Sequence, residues 1–93
     1  MDADLLGFLK DGTYRIKTLD LLNKKPMLSS ELAIELDVNR ASMSRILKAL
    51  KEKNLVISTS NKTRTVVYSI SELGKDALEE LQWLKKCLRQ NYF

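Results

Sequence analysis

The sequence predicts an α+β fold that is mainly helical: a three-helix core, one β-hairpin and a long C-terminal helix. Three observations predict it. Apolar residues recur at helical spacing from residue 13 to 53, the period changes to two between residues 54 and 70, and helical spacing returns from residue 71 almost to the end. The chain has 93 residues, 44% of them hydrophobic and 30% charged, which is enough for one small core. We therefore read one domain over residues 1–93, with the core and hairpin in 12–70 and the last helix in 71–93.

The first apolar face, Leu5, Leu6, Phe8 and Leu9, makes one or two helical turns and closes at Asp11 and Gly12. From Thr13, Ile16, Leu19 and Leu22 recur every three residues, flanked by Tyr14 and Leu21, and Pro26 stops the helix. In "SSELAIEL", Ser29 and Ser30 offer capping oxygens, and Leu32, Ala33 and Leu36 share one face of a short helix. Next, "DVN" is a three-residue break in which Asn39 is a good N-cap. A further helix over residues 40–53 turns Met43, Ile46, Leu47 and Leu50 inward.

At "NLVISTSNKTRTVVYSI" the alternation places Leu55, Ile57 and Thr59, then Val66, Tyr68 and Ile70, on one side of a hairpin. Its polar tip lacks Asn-Gly or Asp-Gly, so a loop of three to five residues is expected. Ser71 caps a final helix of about five turns, long enough to protrude from so small a core. Along it Gly74, Ala77, Leu81, Leu84 and Leu88 form a seam at alternating spacings of three and four. Two readings fit: a helix packed on its own domain, or a seam for a second copy. Leu73 and Leu78 can serve the core, which favours the second and gives Leu81, Leu84 and Leu88, with Leu5 and Phe8 of the first helix, as the expected dimer interface.

Composition excludes much. The chain has no histidine, the commonest general base, and one cysteine cannot build a thiolate metal cluster. The three glycines lie too far apart to cradle a phosphate. We expect no enzyme, no cofactor and no metal. No apolar run approaches the ~18 residues of a membrane span, and the acidic start "MDADLLGFLKDG" is unlike a signal peptide, so no membrane partner and a cytoplasmic location are expected. Cys87 is either a reduced, buried thiol or a crosslink to a second copy.

The net charge of +4 is unevenly spread. Residues 38–70 carry seven cations against one acid, a net +6, while residues 1–37 are at −2 and residues 71–93 balance. That is the pattern of a polyanion-binding face on an otherwise balanced protein. A charged helix face can also be merely solvated, and context decides between the two.

The context is two short helices joined by a three-residue turn, the second followed at once by a hairpin: a winged helix-turn-helix. Through "SSELAIEL", "RASMSRILKALKEKNLV" and "YSISELGKDAL" the chain resembles MarR and ArsR transcriptional regulators, especially their compact archaeal or archaeal-virus relatives. The resemblance runs from Tyr14 to about Leu81. It implies a homodimeric regulator that reads double-stranded DNA at a pseudo-palindromic site; a protein-interaction module without DNA readout is the alternative. Whether a small-molecule effector exists is not legible. Where the family usually has glycine after the second helix, this chain has Asp37, one of the few other residue types that visit left-handed backbone.

A helix entering the major groove needs small or hydrogen-bonding side chains at its leading end and cations toward the phosphates. Asn39, Arg40, Ala41, Ser42, Ser44, Arg45 and Lys48 supply them, with Arg45 able to fork onto guanine. Ser29 and Ser30 can hold a phosphate at a helix N-terminus or simply cap that helix. In the wing, expected over residues 58–66, Lys62, Thr63 and Arg64 face the minor groove or the backbone.

Overall fold

The computed structural model describes residues 3–60 and 65–91, with side chains as far as Leu84. In chain order these form α1 (Ala3–Lys10), α2 (Thr13–Lys24), β1 (Met27–Leu28), α3 (Ser29–Leu36), α4 (Arg40–Glu52), β2 (Val56–Ser60), β3 (Val66–Ile70) and α5 (Glu72–Asn91). The three strands make one antiparallel sheet in the order β1-β3-β2. Strand β1 was not expected: two residues after a proline are too few to display a period of two. Met27 pairs with Tyr68 and Leu28 with Val67, which makes β3 the central strand and β2 an edge.

One core joins every helix to the base of the sheet. Leu9, Leu19, Leu32, Met43, Leu47 and Leu50 lie at its centre, buried from all sides by α1 to α4, and Ala77 and Leu78 close it from α5. Thr18 is fully buried within α2 and satisfies its hydroxyl locally, donating to the Tyr14 carbonyl at 2.6 Å. Ala33 is buried on α3, which packs against α4.

Two helix ends set how α3, α4 and the hairpin meet. At the end of α3, Asp37 is left-handed (φ 55, ψ 48), its N–H reaches the Ile34 carbonyl and the Val38 N–H reaches that of Ala33 at 3.0 Å. At the end of α4, Asn54 repeats the pattern at φ 61, with Asn54 N–H on Lys51 and Leu55 N–H on Leu50, each at 3.0 Å. The second of these turns corrects the hairpin phase. Leu55 is buried as part of the helix stop, so the strand starts one residue later with Val56 inward, and Ile57 and Thr59 face solvent, Ile57 at 52% exposure. On β3, Ile70 and Tyr68 lie against the core as expected, but Val66 extends past it and is exposed.

Helix α5 also departs from expectation. Ser71 does cap it, accepting from the Gly74 N–H at 3.0 Å and donating to the Asn54 carbonyl at 2.7 Å. Leu73, however, is 38% exposed, and Gly74 is buried in its place. A side chain on Gly74 would overlap the Leu55 carbonyl oxygen and lie 2.7 Å from Cγ1 of Ile70. Gly74 is therefore the close approach of α5 to the base of the hairpin, a contact inside the chain.

Candidate nucleic-acid interface

Asn39 is extended and accepts the Ser42 N–H at 2.7 Å, which starts α4 and spends the Asn39 side-chain oxygen on the helix. Arg40, Ala41, Ser44, Arg45 and Lys48 are all exposed, and Ser42 is half-buried. At 3.6 residues per turn those five exposed positions fall within an arc of about 140°, away from buried Met43, Leu47 and Leu50. Ile46 packs at the edge of the core between the two faces.

The first helix of the pair meets this face at the turn. Ser30, Asn39 and Arg40 line one shallow groove of about 390 Å³ together with Ala33, Ile34, Asp37 and Val38. Ser29 and Ser30, expected as caps, are the first two residues within α3, whose N-cap is Leu28 without a side-chain bond. The capping is reversed: the Glu31 carboxylate accepts the Leu28 N–H at 2.9 Å. Lys62, Thr63 and Arg64 lie outside the described residues.

Of the other cations in the basic third, two have partners within the chain that the sequence pattern did not suggest. Lys51 Nζ donates to the Ser58 hydroxyl of β2 at 2.7 Å. The Lys53 ammonium stands 5.5 Å from the centre of the Phe8 ring, and the Arg15 guanidinium lies 4.0 Å from it. Arg15 also donates to the Phe8 carbonyl. Phe8, expected to meet a second copy, is thus engaged by two cations of its own chain.

Other residues of the expected seam are also engaged internally. Leu5 is buried in the core and Leu81 is only 7% exposed there, because α1 and α5 pack together over α2. Leu84 is half-buried along an apolar groove of about 280 Å³ that it shares with Ile16, Leu78 and Leu81. The side chains of Cys87 and Leu88 lie outside the described residues. Trp83, by contrast, is 61% exposed. Among the described residues no group of three acidic or thiol side chains could hold a metal, and no helix is long and apolar enough to cross a membrane.

Residues 14–58, from α2 into the first half of β2, match the family described as bacterial regulatory protein, arsR family. No curated protein matches the sequence. Among solved structures, the YusO protein from Bacillus subtilis superposes with a TM-score of 0.81 at 24% identity, covering 86% of this chain and 59% of its own. The transcriptional regulator BldR from Sulfolobus solfataricus gives 0.77 at 21% identity over 94% of this chain and 65% of its own. The adhesin competence repressor AdcR from Streptococcus pyogenes gives 0.72 at 19% identity over 87% and 62%. The chain spans less than two-thirds of the length of each. Residues 14–58, just under half of the chain, thus resemble the helix-turn-helix of the arsR family, and among the described residues the five helices and small antiparallel sheet share the fold of these solved structures.

Proposed function

We propose that the protein is a sequence-specific, double-stranded-DNA-binding transcriptional regulator that acts as a homodimer. Helix α4 enters the major groove, and the wing over residues 58–66 lies along the minor groove or the adjacent backbone. The observation that carries the reading is the two-sided character of α4: Met43, Leu47 and Leu50 are at most 1% exposed, while the opposite arc presents two arginines, a lysine, a serine and an alanine to solvent. Arg45 reads a base edge, Ser42 and Ser44 reach either edge, Ala41 touches a thymine methyl, and Arg40 and Lys48 hold phosphates. Ser29, Ser30 and Asn39 add backbone contacts beside Arg40, and Lys62, Thr63 and Arg64 add them from the wing.

For the dimer, Leu5, Phe8 and Leu81 act from beneath the surface, supporting α1 and α5, while Leu84, Leu88 and Trp83 supply the contact. Asp76, Glu79 and Glu80 precede Trp83 on α5, and Lys85, Lys86 and Arg89 follow it. Antiparallel pairing of two copies about Trp83 sets acids against cations. Two reading helices would then stand about one turn of DNA apart, ~34 Å.

The test is selection of bound duplexes from a random pool, followed by titration at two salt concentrations with the mass measured by light scattering. A recovered palindrome, steep salt dependence and a dimeric mass are the expected results. Salt-independent affinity with no enriched sequence would leave the protein-interaction module as the better account.

A further inference from the structure

We infer that Lys51 is a positioning residue that fixes the wing relative to α4, and not one of the phosphate ligands; the inference rests on the DNA-binding reading above. Lys51 stands in the last turn of α4, in line with the other cations by sequence, yet its ammonium donates to Ser58 Oγ at 2.7 Å. Ser58 is the middle residue of β2 and lies opposite Tyr68 on β3. The two strands are held in unlike ways. On β3, the central strand, Ile70 is buried and Tyr68 packs against the core. On β2, the edge strand, only Val56 is buried, Ser58 is half-buried and Ser60 is exposed.

A ribbon anchored along one strand can roll about that strand, because the twist between paired strands varies, over roughly −10° to −35° and more in two-stranded ribbons. The Lys51 bond reaches β2 at the level where Tyr68 grips β3, so it supplies the lateral tie that apolar packing supplies on the other side. Wing roll decides whether the tip meets the groove beside the one α4 occupies. The tie therefore couples the two reading elements without touching DNA.

Ser58 carries no charge, and that separates the two roles open to Lys51. Lys51→Met keeps the aliphatic stem and removes the donor, Ser58→Ala removes the acceptor, and Ser58→Thr restores a hydroxyl on a strand-favouring residue. Amide hydrogen exchange in the free, full-length variants is read beside affinity for duplex DNA at two salt concentrations. Lys51→Met and Ser58→Ala should each speed exchange of the β2 amides bonded to β3 by about three- to ten-fold, the scale of one hydrogen bond, without altering α3. Both should weaken duplex binding by a similar factor with the wild-type salt slope, and Ser58→Thr should return both readouts toward wild type. Unchanged exchange in both variants overturns the tie, whatever DNA binding does. Weaker binding in Lys51→Met alone, with a salt slope flatter by about 0.9, makes Lys51 a phosphate ligand and also overturns it. A wild-type chain without salt-dependent duplex binding defeats the DNA reading, and the exchange measurement still decides the tie.

Discussion

The two faces of α4 are built from neighbouring residues and answer to different physics. Met43, Leu47 and Leu50 are held by close packing of α4 against α2, α3 and β2, where the loss of a methylene is felt at once. Arg40, Ala41, Ser44, Arg45 and Lys48 have no packing role, so stability places few demands on their identity. A helix divided in this way lets stability and recognition vary independently. The wing does not have that freedom, because Gly74, Leu55 and Ile70 meet at its base and Lys51 reaches across to its edge.

The largest effects are expected on the buried face. Leu47→Ala should cost about 2–5 kcal/mol of stability by denaturant melts, a buried truncation that the surrounding helices cannot fully close around. Gly74→Ala should cost about 1–3 kcal/mol, since the added methyl meets the Leu55 carbonyl and the Ile70 side chain and α5 must shift away. If Gly74→Ala were neutral, α5 would not be seated on the hairpin base as described. From the outside, Arg45→Ala should leave stability within about 0.5 kcal/mol and weaken the selected duplex by about 1–3 kcal/mol while relaxing preference at one base pair. A large loss of stability in that variant would mean that the two faces are not independent.

This division also explains what the sequence disclosed. Both faces of α4 were legible because helical period, cap and charge are all local signals, and Asn39 caps where its position suggested. The hairpin phase was not, because Leu55 is apolar for a different reason from Val56: it completes a helix stop, and a period of two counted from it turns Ile57 the wrong way. The spacing of Gly74, Ala77 and Leu81 suits a second copy as well as this chain's own core, because small residues followed by leucines serve any close helix contact, internal or external. Sequence spacing alone cannot place Phe8 between Arg15 and Lys53, since those cations come from two other parts of the chain. Ser29 and Ser30 looked like caps by residue type, but the helix begins one residue earlier and Glu31 does the capping.

The smallest effects are expected at the two helix stops. Asp37 and Asn54 hold nearly the same left-handed backbone, at φ 55 and φ 61, and each closes its helix with the same pair of backbone bonds. Glycine relieves the side-chain clash of that conformation but loosens the unfolded chain, so Asp37→Gly and Asn54→Gly should each stabilise by no more than about 1 kcal/mol. Their effects on DNA binding should differ. Asp37 lines the groove that holds Ser30, Asn39 and Arg40, so its carboxylate repels a phosphate approaching Arg40, whereas Asn54 is uncharged and ends the helix at the wing base. Asp37→Gly should therefore tighten duplex binding at low salt and lose that advantage as salt rises, and Asn54→Gly should leave binding unchanged at any salt. Equal effects of the two on duplex affinity would mean that the groove at the turn does not face DNA, and would confine the interface to the exposed arc of α4.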